Sequence, residues 1–149
     1  MPGKKGGKAI ERLIYIQGSP ERVWRALTRG AELGRWYTTP HKLVLRKDGR
    51  WDFLEGKMTG KVLGVARPRK LVTSLRFLKE ESSTRVTFLL EPVKLGRRTA
   101  TELKVVHDRF AGAKETCRCW SSPGAWTWIL CNLKTFVETG KPLTERSFY

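Results

Sequence analysis

Three cysteines and two histidines are the residues of this 149-residue chain most suited to chemistry. Cys117 and Cys119 stand one residue apart, and with Cys131 and His107 they offer four soft ligands of the kind that hold zinc. A structural zinc site usually presents two closely spaced pairs, whereas Cys131 stands alone in a helical stretch, off its apolar stripe. The spacing therefore favours free thiols in a reducing compartment, and no metal is expected. His107 precedes Asp108, a carboxylate that would orient an imidazole as a general base if the two met. On a strand, however, neighbouring side chains point to opposite faces, so His107 is expected to be a satisfied or solvated side chain. His41 follows Pro40 with no partner in view. Asp52, Glu55 and Glu102 are strand carboxylates with a cavity as one destination; with so many cations nearby, solvent-facing pairing is the expectation. No glycine-rich phosphate loop, nucleophile elbow or paired-carboxylate signature occurs, so no catalytic residue and no cofactor is assigned.

Composition is globular, with 40% hydrophobic residues and a length that allows one domain with a proper core. Thirty Lys and Arg against 14 Asp and Glu give a net charge of +16. Such an excess points to an anionic partner, nucleic acid or another polyanion, or else to a solvated, self-repelling surface. The cations are spread along the chain, and the densest groups are small: Lys4-Lys5, Arg67-Pro68-Arg69-Lys70 and Arg97-Arg98. No apolar run approaches the roughly 18 residues of a transmembrane helix, and no signal-type apolar stretch follows the first cations, so a cytoplasmic location is expected. Residues 1–8 are expected to form a flexible basic tail, 9–142 a single domain, and 143–149 a C-terminal tail.

The elements follow from periodicity. Ile10, Ile14 and Ile16 share one face of a first strand, which Gly18-Ser19-Pro20 ends. Ser19 is placed to cap a helix with Pro20 in its first turn, and Val23, Trp24 and Leu27 follow at helical spacing. A second short helix covers Ala31 to Trp36. From Lys42 to His107 short strands succeed one another: Leu43-Val44-Leu45 into a turn at Lys47-Asp48-Gly49, then Trp51 and Phe53, Lys57 to Ala66, Leu71 to Leu78, Thr84 to Glu91 and Thr99 to His107. Their connections are too short for crossover helices, which requires antiparallel pairing. After Ser122-Pro123, residues Trp126, Ile129, Leu130, Leu133, Phe136 and Val137 fall on one face of a long helix that Gly140 stops. The fold class is α+β, and that helix must lie against the curved sheet.

This order of elements, one strand, two short helices, a long antiparallel meander and a long C-terminal helix, is that of the helix-grip fold. Ile14-Tyr-Ile-Gln-Gly-Ser-Pro-Glu-Arg-Val-Trp-Arg-Ala-Leu-Thr28 with Leu33-Gly-Arg-Trp-Tyr37 resembles the opening signature of the START-like superfamily, in its Hsp90-ATPase-activator-homologue branch. Asp48-Gly-Arg-Trp-Asp-Phe53, Gly60-Lys-Val-Leu-Gly-Val65, Arg69-Lys-Leu-Val72, Thr84 to Glu91, Thr99 to His107 with Phe110, and Trp126 to Gly140 continue the resemblance in order. Ala111 to Ser122 departs from it. The resemblance implies a curved antiparallel sheet gripping the C-terminal helix, with a cavity between them. It does not imply one function, because relatives bind lipids, polyketides, hormones or protein partners, and a few catalyse cyclisations. It covers only the domain that the eukaryotic co-chaperone carries at its C-terminal end, so it does not imply Hsp90 activation.

In that architecture Trp36, Trp51, Phe53, Phe77, Phe88, Trp126, Leu130 and Leu133 surround one space. Some of the aromatics fill it as core; the others are expected to line a pocket of about 300–1,000 Å³ for an apolar or aromatic small molecule. Arg50 and Arg76 are the cations nominated for its mouth, and Trp128, away from the helix stripe, is expected to be exposed. The first functional expectation is non-enzymatic binding of a hydrophobic small molecule in this cavity. The second is a protein- or polyanion-interaction domain, and the third a cyclase- or hydrolase-like enzyme with one inconspicuous polar group. Oligomeric state is left open.

Overall fold

The computed structural model describes residues 9–143 except Leu78. The tails expected at 1–8 and 143–149 lie outside these residues apart from Leu143, whose N–H donates to Asn132 Oδ1 at 2.6 Å. Seven strands and four helices follow in the order β1 (Ile10–Gln17), α1 (Pro20–Thr28), α2 (Gly30–Trp36), β2 (Lys42–Leu43), β3 (Arg50–Phe53), β4 (Met58–Ala66), β5 (Lys70–Phe77), β6 (Thr84–Leu95), β7 (Arg98–Asp108), α3 (Lys114–Trp120) and α4 (Pro123–Thr139). The strands form one antiparallel sheet in the order β1-β7-β6-β5-β4-β3-β2. Chain neighbours are therefore sheet neighbours from β2 to β7, as short connections demand, and β1 closes the order by pairing with the last strand.

Alternation decides which face of each strand is buried. Thr84, Val86 and Leu90 of β6 and Thr101, Leu103, Val105 and His107 of β7 are buried, while charged residues among their outward neighbours include Arg85, Glu91, Glu102, Lys104 and Asp108. One such outward pair is Arg85 of β6 with Asp108 of β7, joined by two hydrogen bonds of 2.9 and 2.6 Å. A register shift between Val62 and Gly64 interrupts the β4–β5 ladder, and Leu63 within it and Val65 after it are exposed.

The helix starts differ in how they are held. Ser19 Oγ accepts from Arg22 N at 3.2 Å, capping α1 as its sequence predicts. Ser122 precedes α4, but its side chain makes no capping bond there. The helix α3 was not expected: its N-cap is Ala113, which has no capping group. Glu80, from the β5–β6 turn, takes over that work, accepting from Glu115 N at 3.1 Å, Thr116 N at 2.6 Å and Thr116 Oγ1 at 2.5 Å.

α4 is the element the sheet closes around. Its Trp126, Ile129, Leu130, Leu133 and Phe136 are buried, and Gly140 ends it in the left-handed region at φ 81°, donating to Phe136 O. The carbonyl of Gly140 accepts from Arg35 Nη2 at 2.9 Å, so α2 caps the end of α4. Arg22 and Arg35 lie 5.4 and 5.1 Å from the centroid of the Phe136 ring. At the β1 edge, Lys134 Nζ donates to Tyr15 O at 2.7 Å and Glu138 accepts from Gln17 N at 2.8 Å. The two side chains also pair with each other at 2.6 Å, so α4 satisfies edge groups that would otherwise invite another strand.

Candidate ligand cavity

Between α4 and the inward face of the sheet the packing leaves a cavity of about 120 Å³. Its wall is almost wholly apolar: Trp51 and Phe53 from β3, Met58 and Val62 from β4, Leu71, Thr73 and Leu75 from β5, Val86 and Phe88 from β6. Leu33, Trp36 and Tyr37 come from α2 and the residue after it, Trp120 from α3, and Trp126, Ile129, Leu130 and Leu133 from α4. Seven of the eight residues placed here by sequence, Trp36, Trp51, Phe53, Phe88, Trp126, Leu130 and Leu133, are on the wall.

Phe77 is not among them. It is the last residue of β5, and its ring meets Trp120 edge-on at 6.4 Å, so it packs behind the wall. Trp120 takes the place expected of it. No signal in the α3 segment marks Trp120 as inward, because the helix that carries it is capped by a residue 36 positions from Thr116. Trp128, expected to be exposed, is half-buried and packs against the core.

The cavity is also smaller than the expected range of about 300–1,000 Å³. The reason is the volume of its own wall. Trp120 and Trp126 lie with ring centroids 4.9 Å apart, Trp51 and Phe53 5.3 Å apart, and Tyr37 meets both Trp36 and Phe53 within 5.9 Å. An apolar space of about 150 Å³ takes a benzene-sized guest and stays dry without one. The space here is of that order.

Hydrogen bonds fix the orientation of two of the indoles around it. Trp36 Nε1 donates to Ala26 O at 2.8 Å. Trp126 Nε1 donates to His107 Nδ1 at 3.2 Å, which settles the tautomer: an indole only donates, so Nδ1 is bare and His107 Nε2 carries the proton. Nε2 then donates to Thr84 Oγ1 at 2.7 Å, and Thr84 Oγ1 donates to Leu75 O at 3.1 Å. Burial pushes the His107 pKa down to about 4 against a weaker opposing pull from the Asp108 carboxylate, so the imidazole is neutral. His107 is thus a satisfied core residue that aims Trp126, with Phe110 at 4.6 Å against its ring. Trp51 differs: among the described residues its buried Nε1 has no hydrogen-bond acceptor.

The remaining candidates lie elsewhere. Asp52 Oδ1 accepts from Gly56 N at 2.8 Å in the β3–β4 turn, Glu102 accepts from Tyr15 OH at 3.1 Å on the outer face, and Glu55 is exposed. Arg50 and Arg76 are exposed and off the wall; Arg76 Nε donates to Glu80 O. Cys117, Cys119 and Cys131 are free, and no group of three His, Cys, Asp or Glu side chains among the described residues is placed to hold a metal. His41 is exposed, beside Thr39, Pro40 and Lys57 in a shallow surface depression. No helix among the described residues is long and apolar enough to cross a membrane.

Solved structures share this architecture. CalU16 from Micromonospora echinospora superimposes with a TM-score of 0.69 at 23% identity, covering 89% of this chain and 77% of that one. An Aha1 dimer from Colwellia psychrerythraea gives 0.70 at 23% identity, covering 89% and 98%. An Hsp90 activator from Plasmodium falciparum gives 0.64 at 22% identity, covering 78% and 89%. At such identities the likeness establishes the helix-grip fold and not a shared activity. No curated protein matches the chain. The family model described as "Activator of Hsp90 ATPase homolog 1-like protein" matches residues 17–138, from the end of β1 to the last turn of α4, and the chain belongs to that family of the START-like superfamily.

Proposed function

We propose that this protein binds a compact hydrophobic or aromatic small molecule, without chemical conversion, in the cavity between the sheet and α4. The observation that carries this reading is an almost wholly apolar wall drawn from nine elements around an unfilled space in an otherwise densely packed core. No histidine, cysteine or carboxylate is on that wall, so the space offers contact and exclusion of water rather than acid–base chemistry. Binding stabilises the folded state by mass action, by about 2.7 kcal/mol at a hundredfold excess over Kd. Thermal unfolding with a size-graded series, from benzene through naphthalene to a fatty acid, tests it. Guests of about benzene size should raise Tm by several degrees and the fatty acid should not. A Tm unmoved by every guest in the series would overturn the reading.

A second reading rests on the outer face. Arg50 and Lys61 are direct cross-strand partners on β3 and β4, both exposed, and neither has an ion-pair partner among the described residues. Like charges set opposite one another destabilise a sheet unless an anion lies between them. A partner that is an acidic protein surface or a polyanion fits that arrangement and the net charge of +16. Its affinity would fall steeply with salt, whereas guest binding in the cavity would not.

A further inference from the structure

The β6–β7 hairpin runs on past the sheet it belongs to. β6 and β7 are the longest strands, with 12 and 11 residues. β5 pairs with β6 only as far as Leu89, and β1 pairs with β7 only as far as Ala100. The last rungs, Lys94 opposite Thr99 and Leu95 opposite Arg98, therefore have no strand on either side. Gly96, at φ 64°, takes the first of two central positions in the tight turn that closes them. Every residue from Lys94 to Thr99 is exposed, which makes this a slender two-stranded ribbon projecting into solvent.

Its tip is cationic and uncompensated. Lys94-Leu-Gly-Arg-Arg98 carries three cations, and no carboxylate occurs between Pro92 and Ala100. Lys94 Nζ donates to Thr99 Oγ1 and Arg98 Nη1 to Gln17 Oε1, each at 3.0 Å, so the bonds that hold them are to neutral oxygens. Among the described residues none of Lys94, Arg97 and Arg98 is in an ion pair. Glu91 and Glu102, opposite each other nearer the sheet, are engaged by Arg69 at 2.9 Å and Tyr15 OH at 3.1 Å. Cations on an uncovered ribbon also discourage pairing with stray strands. That purpose is not served by Leu95, which stands 44% exposed among them.

We propose that this ribbon inserts into the groove of a B-form nucleic-acid duplex. A slender convex tip with cations around an apolar side chain fits a groove with anionic walls and base edges on its floor. The major groove, about 12 Å wide, admits a two-stranded ribbon. Lys94, Arg97 and Arg98 lie against phosphates, and Leu95 meets apolar base edges such as the thymine methyl. An acidic protein surface would take the cations but offers no such floor to the leucine. The net charge of +16 supplies the long-range attraction. This site is independent of the cavity, and it lies apart from Arg50 and Lys61 on β3 and β4.

Fluorescence anisotropy of a short labelled DNA duplex, between about 50 and 200 mM salt, tests this. Two triple variants remove equal charge. Lys94→Ala/Arg97→Ala/Arg98→Ala strips the tip. Lys57→Ala/Lys79→Ala/Lys114→Ala strips exposed cations at the opposite end of the sheet, in the β3–β4 and β5–β6 turns and on α3 beside them. The tip variant is expected to lose most of the affinity and to flatten the slope of log K against log salt by about 0.9 for each phosphate contact. The opposite-end variant should keep the wild-type slope. Leu95→Ser should weaken binding about tenfold at an unchanged slope. Equal losses in the two triple variants would mean bulk charge alone and would sink the proposal. Equal affinity for a poly-glutamate of matching charge would replace the duplex with an acidic protein, and no binding at the lowest salt would end the idea outright. All the substituted side chains are exposed, so each variant is expected to fold, which far-UV circular dichroism checks.

Discussion

Phe136→Ala is expected to lower the stability of this domain by about 3–5 kcal/mol, the largest loss from any single truncation proposed here. Phe136 is fully buried on α4, beneath the guanidinium groups of Arg22 and Arg35. Arg22 belongs to α1, where it also pairs with Glu32 at 2.5 Å, and Arg35 belongs to α2, where it caps α4 through Gly140 O. The ring is thus the point at which three helices meet, and its removal leaves a cavity that cannot collapse without parting them. With a total stability of about 5–15 kcal/mol, such a loss is a large fraction of the whole. Urea unfolding of the variant checks it, and a cost below about 1 kcal/mol would contradict the packing described.

Acid is expected to weaken the fold well above the range in which ordinary carboxylates titrate. His107 has its pKa lowered from 6.5 to about 4 in the folded protein, chiefly because it is buried, with the Asp108 carboxylate pulling the other way. Between those values the unfolded chain takes up a proton that the folded chain refuses. Stability is therefore fully present above pH 6.5 and declines as the pH falls towards 4, by about 3 kcal/mol in all. Protonation would also give His107 Nδ1 a hydrogen where Trp126 Nε1 now donates, so the charged form breaks the bond that aims a wall residue. At lower pH Glu80 adds its own loss. Burial alone would raise its pKa, but the hydrogen bonds from Thr116 and Glu115 outweigh that and hold it below the usual 4.5. Urea midpoints from pH 8 to 4 should show the first decline in the wild type and a reduced one in His107→Gln, which has no imidazole to charge. A flat profile between pH 6.5 and 4 would refute the assignment.

The parts of the fold legible in the sequence are those held by local chemistry. Ser19 and Pro20 start α1 where they stand, Gly140 ends α4, and the spacing of Trp126, Ile129, Leu130, Leu133 and Phe136 names the buried face of that helix. Two-residue alternation likewise puts Trp51, Phe53 and Phe88 on the inward face. What escaped detection depends on partners distant in the chain. α3 has no capping residue of its own and is held by Glu80, so neither the helix nor Trp120 could be read locally. Phe77 obeys the alternation, yet its position at the end of β5 sets it behind Trp120 instead of on the wall. Asp52 and Glu102 had inward and outward destinations open to them, and the hydrogen bonds from Gly56 N and Tyr15 OH that hold them are visible only in three dimensions. Cavity volume is least legible of all, because it is the small remainder after large side chains have packed.

That remainder is the centre of the functional account, and methyl NMR of the protein titrated with benzene tests it most directly. Shifts are expected to concentrate in Leu71, Val86, Ile129, Leu130 and Leu133, which line the cavity, with the exposed methyls of Leu13 and Leu95 unmoved. Shifts confined to Leu13, Leu95 and other surface positions, or no shifts at saturating benzene, would contradict it and turn attention to the basic outer face.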